Sequence, residues 1–223
     1  MTIQDKNMTM LCDFYELTMG NGYLRCGYKD RITYFDVFFR TIPDKGGFAI
    51  AAGLEQVIDY IENLHFSKED IAYLRGRKLF DEEFLTYLES FQFTGDIYAV
   101  PEGTPIFPQE PILTVRAPAI QAQLIETFLL LALNHQSLIA TKANRIVRAA
   151  EGRTVLEFGS RRAQGAELLI LVVARELPAR SRISFTEFGP AVPWPMLGYK
   201  CLKANLRLLR HTVKSIPIML CCS

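Results

Sequence analysis

A chain of 223 residues with 49% hydrophobic and 22% charged side chains has the composition of a globular protein, which excludes a disordered chain or a coiled coil. Its uninterrupted apolar stretches, such as Phe128 to Leu133, are far shorter than the roughly 20 residues that cross a bilayer, and the first residues are polar. A formal net charge of +1 gives no electrostatic case for binding nucleic acid or membrane. We therefore expect a cytoplasmic protein.

The five cysteines form no pattern that predicts a metal site or a disulfide framework. Their number is odd, and no pair has the CxxC spacing of a zinc ribbon. We expect free thiols at Cys12, Cys26, Cys201, Cys221 and Cys222.

The N-terminal region begins with a predicted helix. Apolar residues recur at helical spacing from Met10 to Cys26, and Gly20, Gly22 and Gly27 are expected to break or end this helix.

A strand and three helices are predicted next. Residues 31–40 read RITYFDVFFR, a run rich in aromatic and β-branched side chains that predicts a strand, and a turn with proline and glycine follows. Helical spacing covers residues 54–64. Ser67 with Asp70 resembles a capping box, and Asp81 is placed to cap a further helix.

The pattern changes in the middle of the chain. Short runs punctuated by prolines over residues 93–118 predict small strands in a compact β unit. Two helices are expected over residues 119–133 and 134–150, and the buried-type strand Thr154–Phe158 leads into a glycine loop. This order is typical of a parallel α/β unit. We predict an α/β protein with a mostly helical, α+β N-terminal part.

The glycine loop, residues 157–165, is the first candidate site and reads EFGSRRAQG. In a parallel barrel the active site lies on the loops after the strands. The adjacent Arg161 and Arg162 are flanked by glycines, so they can hold phosphate or carboxylate while the backbone approaches closely. A solvated basic turn at the start of a helix is the alternative.

Tyr15 and Arg40 are the other candidates. Tyr15 lies among apolar residues of a helix and can stack a planar ring and offer its hydroxyl, although core packing is the alternative. Arg40 closes an aromatic strand, where it binds an anion or extends to solvent. His135 is weak evidence for acid–base catalysis, and Glu102, between proline and glycine, is better explained by a turn.

Six separated segments, taken in order, resemble nicotinate phosphoribosyltransferases. They read DFYELTM, YFDVFFR, GGFAIAAGLEQV, VPEGTPIFPQEPIL, IETFLLLALNHQSLIATKANRI and EFGSRRAQG, and the resemblance covers residues 8–166. It implies an N-terminal domain over residues 1–118, with a small β unit, followed over residues 119–166 by the start of an incomplete α/β barrel.

The resemblance also implies an activity and its partners. The expected reaction joins nicotinate and phosphoribosyl pyrophosphate (PRPP) into nicotinate mononucleotide and pyrophosphate, coupled to ATP, in NAD salvage. Mg²⁺ would accompany PRPP and ATP, with no tightly bound cofactor and no metal-ligating residues. The implied assembly is a homodimer with active sites at the subunit interface.

The resemblance implies roles for the candidate residues. Tyr15 and Phe158 would flank the pyridine ring, while Arg40 and one or both of Arg161 and Arg162 would hold the PRPP phosphates or the nicotinate carboxylate. Tyr15 and Arg40 would be lent across the dimer. The catalytic residue stays unknown, because the family's phosphorylated histidine matches none of the three histidines His65, His135 and His211.

The tail over residues 167–223 departs from the family. Of the 25 basic and 24 acidic residues, eight and two respectively fall in residues 168–223. Moving the reading frame back one base across residues 193–197 permits Thr-Met-Ala-His-Ala, which is similar to the family's phosphohistidine run. Our hypothesis is a frameshift near residues 166–168, tested by sequencing the encoding DNA, and we expect this polypeptide alone to be poorly soluble and inactive.

Two alternatives to this function stay open. The first alternative is a phosphoribosyltransferase specific for nicotinamide or quinolinate. The second is a noncatalytic binding or dimerisation remnant.

Overall fold

The computed structural model describes residues 7–153, residue 155 and a short strand at residues 218–219. The elements, in chain order, are α1 (Phe14–Arg25), β1 (Ile32–Val37), β2 (Ala49–Ile50), α2 (Leu54–Glu62), α3 (Lys68–Gly76), α4 (Glu82–Glu89), β3 (Asp96–Ala99), β4 (Pro105–Ile106), β5 (Leu113–Pro118), α5 (Ala119–Leu124), α6 (Glu126–Ala149) and β6 (Ile218–Met219). Helices with small, mainly antiparallel sheets make this an α+β fold, which confirms the prediction for the N-terminal part.

The main sheet has the strand order β3-β5-β1-β6. Strand β5 pairs antiparallel with β1, from Ile32 opposite Pro118 to Val37 opposite Leu113, and antiparallel with β3 on its other side. Strand β6 runs parallel to β1. Burial along β5 alternates residue by residue, because successive side chains of a strand point to opposite faces of the sheet.

The main hydrophobic core lies between one face of this sheet and the helices. Strand residues Phe35 and Val115 are almost fully buried, and Phe84 and Leu88 of α4 have no solvent exposure. Tyr60 of α2 stacks on Phe128 of α6 with ring centroids 3.9 Å apart. Helices α2 and α6 are thereby joined to the same core.

Of the two predicted helix caps, the one at α3 forms a capping box and the one at α4 does not. Ser67 and Asp70 form the capping box predicted for α3: the Asp70 N–H donates to Ser67 Oγ at 3.1 Å, and the Ser67 N–H donates to Asp70 Oδ2 at 2.8 Å. Asp81 does occupy the N-cap position of α4, but its side chain makes no capping bond. It pairs with Arg25 of α1 instead, and the hydrogen bonds from Arg25 lower the pKa of Asp81.

Helix α1 runs through two of the glycines that were expected to break it. Gly20 is tolerated because α4 packs there: a Cβ on Gly20 would lie 3.2 Å from the ring of Phe84. The helix ends at Arg25, and Gly27 follows with a φ of +71°. Of the three glycines, only Gly27 lies at the end of the helix.

The predicted division between the last two helices was wrong. Helix α5 ends at Leu124, and α6 continues from Glu126 to Ala149 without a break at Asn134. Asn134 is exposed on α6, where its low helix propensity costs little against the apolar face that the helix buries. The predicted strand Thr154–Phe158 lies outside the described residues, except for residue 155.

The strands of residues 93–118 do not pair only among themselves, as a separate β unit would. β3 and β5 belong to the main sheet with β1, whereas β4 pairs with β2 in a second, two-stranded sheet. Strands join across long stretches of chain because side-chain burial, and not chain proximity, fixes their partners.

The backbone of β2 and of the residues that follow it is covered by helix α6. The Ile50 N–H donates to Thr141 Oγ1 at 2.8 Å, and the Ala52 N–H donates to Ser137 Oγ at 3.1 Å. The Ser137 hydroxyl in turn donates to the Ala52 carbonyl at 3.2 Å. Two hydroxyls one helical turn apart therefore satisfy backbone groups that a neighbouring strand would otherwise bind.

Candidate functional site

Tyr15 lies in the first turn of α1 with 43% of its surface exposed. The next two residues, Glu16 and Leu17, are buried, so α1 turns them to the core and leaves the Tyr15 ring at the surface. Burial is the largest cause that raises the pKa of Tyr15, and the nearby carboxyl group of Glu126 is the next. The exposed part of the ring is open to a ligand.

The first turns of α1 and α6 are locked together beside Tyr15. Glu16 Oε1 accepts hydrogen bonds from the Thr127 hydroxyl at 2.6 Å and the Thr127 N–H at 3.1 Å. The Thr127 hydroxyl oxygen accepts a bond from the Asp13 N–H at 3.1 Å. Asp13 is the N-cap residue of α1, so both helix starts are held by the same threonine.

Two buried carboxyl groups meet at this junction. Burial, opposed by the hydrogen bonds from Thr127, raises the pKa of Glu16 to about 7, and the nearby Glu126 raises it further. Burial is also the largest cause that raises the pKa of Glu126, while the neighbouring Tyr15 hydroxyl and the hydrogen bond from Gln123 lower it. Both carboxyl groups therefore hold protons more tightly than exposed ones.

Cys12, which lies close to this junction, is not an activated thiol. Burial, and then the negative charge of Glu16, raise its pKa to about 12. A thiol that stays protonated at neutral pH is a poor nucleophile. Both cysteines in the described part of the chain, Cys12 and Cys26, are free, as predicted for them.

Arg40 lies in the loop after β1, and its side chain is exposed. Its backbone is held in place, because Gln109 Nε2 donates to the Arg40 carbonyl at 3.0 Å. The Gln109 N–H donates to the carbonyl of the preceding residue, Phe39, at 2.8 Å. Among the described residues, no carboxylate forms an ion pair with Arg40, so its guanidinium is available to an anion.

The rest of the Arg40 loop is strained and clamped onto α6. Asp44 and Lys45 have φ angles of +59° and +54°, which side chains other than glycine adopt at a cost. Arg145 of α6 donates to Asp44 Oδ2 at 3.3 Å, and its guanidinium occupies the space that a Cβ on Gly46 would need. Because residue 46 is a glycine, the Arg145 guanidinium fits beside it and can hold the loop against α6.

The two weaker candidates have different outcomes. Glu102 is a structural residue: its Oε1 accepts bonds from the Gly53 and Leu54 N–H groups, each at 2.9 Å, at the start of α2. It lies in a turn, as predicted, and the next residue, Gly103, has a φ of +82°. His135 is half-buried on α6, and its Nδ1 atom has no hydrogen-bond partner among the described residues.

The predicted site is only partly described. Phe158, Arg161 and Arg162 lie outside the described residues, so their roles stay predictions. Tyr15 and Arg40 stand on separate supports, α1 and the loop after β1, and no hydrogen bond or ion pair in the described part of the chain joins them.

Sequence reasoning missed the polar residues that join α1 to α6 beside Tyr15. Glu16 and Thr127 bond to each other, and an acid inside an apolar stretch, as at Glu16, was the available signal. The spacing could not show which residue Glu16 bonds to, since Glu16 and Thr127 are 111 residues apart.

The described residues contain neither a metal cluster nor a membrane-crossing helix. No group of three or more His, Cys, Asp or Glu side chains in this part of the chain could hold a metal ion. Each helix there is too short or too polar to cross a bilayer.

The fold and the candidate site define an α+β domain that presents an exposed tyrosine on its first helix and an exposed arginine after its first strand. The family model described as the nicotinate phosphoribosyltransferase (NAPRTase) N-terminal domain matches residues 10–134, more than half of the chain. The chain belongs to the nicotinate phosphoribosyltransferase family.

Individual relatives agree with this assignment. Nicotinate phosphoribosyltransferase pncB2 of Mycobacterium tuberculosis is 43% identical over 170 residues, which cover 75% of this chain and 36% of that protein. The nicotinate phosphoribosyltransferase of Bacillus subtilis is 42% identical over 160 residues, which cover 72% and 33%. The crystal structure of human nicotinic acid phosphoribosyltransferase matches with a TM-score of 0.66 at 35% identity, covering 71% of this chain and 32% of that one. The chain spans about a third of the length of these relatives.

Proposed function

We propose that this chain is part of a nicotinate phosphoribosyltransferase of NAD salvage. The reaction joins nicotinate and PRPP to give nicotinate mononucleotide and pyrophosphate and is coupled to ATP hydrolysis. The observation that carries the proposal is the family match over residues 10–134, which includes Tyr15 and Arg40. In that match, Tyr15 has an accessible ring and Arg40 an accessible cation.

In the proposed reaction the protein positions two reactants and stabilises a leaving anion. The pyridine nitrogen attacks C1 of the ribose as the bond to pyrophosphate breaks, so the ring must be held in line with C1. Tyr15 would stack on one face of the pyridine ring and Phe158 on the other. Arg40, with Arg161 or Arg162, would hold the PRPP phosphates or the nicotinate carboxylate.

Mg²⁺ belongs to the proposal as a companion of PRPP and ATP, whose phosphates are ligands that this ion prefers. We also propose a homodimer, with Tyr15 and Met19 on the exposed face of α1 available to a second copy. The free thiols Cys12 and Cys26 support a reducing, cytoplasmic location.

The test measures nicotinate binding by calorimetry and nicotinate mononucleotide formation with PRPP, ATP and Mg²⁺. Tyr15→Ala is expected to weaken nicotinate binding roughly tenfold, because stacking is worth about 1 kcal/mol. Tyr15→Phe, which keeps the ring, should lose less. Tyr73→Ala is the matched control, since this tyrosine is also exposed but lies on α3. Equal binding by parent and Tyr15→Ala would contradict the assignment of Tyr15.

Two other functions are distinguished by the same measurements. Preference for nicotinamide or quinolinate in a panel of pyridine substrates would place the protein in another branch of phosphoribosyltransferases. Binding of nicotinate, or formation of a stable dimer in a light-scattering mass measurement, combined with no turnover even by a repaired full-length chain would favour the noncatalytic binding or dimerisation module.

A further inference from the structure

Gln109 binds the backbone on both sides of the Arg40 Cα atom. Its N–H donates to the Phe39 carbonyl at 2.8 Å, and its side-chain Nε2 donates to the Arg40 carbonyl at 3.0 Å. These carbonyls belong to the two peptide groups that flank the Arg40 Cα. Because the planes of these peptide groups set the backbone dihedral angles of Arg40, the two bonds fix the direction in which its side chain leaves the chain.

The second of these bonds comes from a side chain because the backbone has no donor to offer there. The chain after Gln109 runs beside the end of β1, where the Ile112 N–H donates to the Val37 carbonyl at 2.7 Å. The residue before Gln109 is Pro108, which has no N–H group. The Gln109 side-chain amide therefore continues the row of hydrogen bonds by one more, to the Arg40 carbonyl.

Gln109 holds this contact in a strained backbone conformation. Its φ is +66°, a left-handed value that glycine adopts freely and other residues adopt at a cost. Gln109 is exposed, so burial of apolar surface does not offset the cost. The hydrogen bond that a glycine at this position would lose is the one from the side chain to the Arg40 carbonyl.

We infer that Gln109 is a positioning residue for Arg40, whose flanking peptide groups it holds so that the exposed guanidinium meets an anionic group of the substrate. The inference rests on the proposed function for the choice of substrate, which offers the phosphates of PRPP and the carboxylate of nicotinate. Fixing the base of a long side chain before the ligand arrives lowers the entropy lost on binding. Gln109 acts through Arg40 and does not touch the ligand.

A purely structural role for Gln109 is the competing explanation. Its bonds also tie together two chain segments that contribute Ile42, Ile106 and Ile112 to one of the smaller apolar clusters. A structural role predicts that Gln109→Gly lowers the thermal midpoint of unfolding. The positioning role predicts a nearly unchanged midpoint, because glycine relieves the left-handed conformation while one exposed hydrogen bond is lost.

The first experiment tests the contact without any ligand, by ¹⁵N relaxation of the Arg40 amide in the 223-residue chain. In Gln109→Gly the order parameter of this amide should fall from about 0.85 towards about 0.6. Gln109→Asn should lower it too, since asparagine tolerates the left-handed conformation but its amide is one methylene shorter. Lys78→Gly is the matched control, an exposed residue after α3 with a φ of +55°, and should leave Arg40 unchanged.

The second experiment measures binding of PRPP with Mg²⁺, and separately of nicotinate, by calorimetry. Arg40→Ala shows which of the two ligands Arg40 holds. We expect Gln109→Gly to weaken binding of that same ligand roughly three- to tenfold, and Lys78→Gly to bind it like the parent. In an Arg40→Ala background, Gln109→Gly should cause no further loss, because the side chain through which it acts is already gone.

Each outcome decides a separate point. An Arg40 order parameter that stays at the parent value in Gln109→Asn overturns the inference, because a loss in Gln109→Gly alone reflects the freedom of glycine. Equal losses of affinity in the parent and in the Arg40→Ala background also overturn it. A lowered thermal midpoint with unchanged affinity favours the structural role. Lowered order parameters in both variants, with no binding of PRPP or nicotinate by the parent chain, support the contact and count against the proposed function.

Discussion

Glu16 and Glu126 are buried carboxyl groups at the junction of α1 and α6, and they affect the protein differently. Glu16 accepts two bonds on one oxygen, while its other oxygen, Oε2, is buried without a partner among the described residues. A protonated carboxyl group fits this position better than a carboxylate, since the charged form would leave a desolvated oxygen unpaired. Glu126, by contrast, accepts a hydrogen bond from Gln123 Nε2 at 2.7 Å.

At the residue scale, Glu16 predicts a pH-dependent stability. Its pKa is raised from 4.5 to about 7 in the folded chain, so the folded state keeps a proton that the unfolded state has lost between these values. The contribution of Glu16 is therefore fully present below about pH 4.5 and is lost as the pH rises through about 7. From about pH 5 to about pH 8 the free energy of unfolding should fall by roughly 2 kcal/mol after solvent screening.

Urea unfolding of parent and Glu16→Gln at the two pH values measures this effect. The amide of Glu16→Gln cannot ionise, so the variant should lose that part of the pH dependence. Glu83→Gln, an exposed carboxylate of α4, is the control and should keep it. If the free energy of unfolding depends on pH identically in parent and Glu16→Gln, the raised pKa that the fold indicates for the Glu16 carboxyl group would be contradicted.

At the element scale, side chains of α6 form hydrogen bonds with β2 and the residue after Ala51 that a further neighbouring strand would otherwise form. Ser137 and Thr141 bind the backbone of Ile50 and Ala52, so the two-stranded sheet is supported by helix side chains on the side away from β4. A buried N–H group without a partner costs about 1–3 kcal/mol. The chain after β2 then turns into α2 through Gly53, whose φ is +104°.

Removing a hydroxyl from α6 should therefore destabilise the fold through β2. Thr141→Val keeps the side-chain shape but leaves the Ile50 N–H unbonded, and the free energy of unfolding should fall by about 1–3 kcal/mol. Thr86→Val is the control, because the hydroxyl of Thr86 is exposed and bonds only within α4. Chemical denaturation compares the two, and an equal effect of both substitutions would rule out a special role for the α6 hydroxyls.

Gly53 and Gly22 predict opposite effects of the same substitution. Gly53→Ala places a Cβ 2.9 Å from the Ala132 carbonyl oxygen at a left-handed backbone position, so it should cost roughly 3 kcal/mol. Gly22→Ala meets nothing within 4 Å inside α1 and should stabilise by up to about 1 kcal/mol. Thermal unfolding measures both, and a harmless Gly53→Ala would contradict the close packing of α2 on α6.

At the scale of the whole molecule, the described residues divide between one large core and two smaller clusters. The large core includes Val115 of the central strand β5 and buried residues of α2 to α5. The smaller clusters contain residues of the β2–β4 region, such as Ile106 and Ile50. Unfolding of the main sheet therefore requires loss of the large core, whereas the two-stranded sheet has few apolar contacts to lose.

Amide hydrogen exchange tests this difference. Amides of β5 should be the most protected, and those of β2 and β4 should exchange through smaller openings. Val115→Ala removes two buried methyl groups and should lower stability by roughly 2 kcal/mol, about a thirtyfold loss of protection in β5 and in α4 together. Loss confined to β5 would show that the sheet and α4 do not unfold as one unit.

Local sequence rules predicted the elements well where the signal lies within a few residues. The capping box of Ser67 and Asp70, for example, depends on a spacing of three residues. The break before α6 was misplaced because the apolar pattern runs on through residue 125 and the sequence contains no glycine or proline there. The contacts near Tyr15 and at Arg40 join residues that are far apart in the sequence, so no such local rule predicts them.

The sequence by itself determined the α+β character, the main helices and strands, and the candidates Tyr15 and Arg40. Only the tertiary structure decided that Thr127 bonds to Glu16, that Glu102 caps α2 and that Asp81 pairs with Arg25. The physical reason is the range of the interactions. Periodicity and capping act over one or two turns, whereas Arg25 and Asp81 are 56 residues apart and become neighbours only when α1 packs on α4.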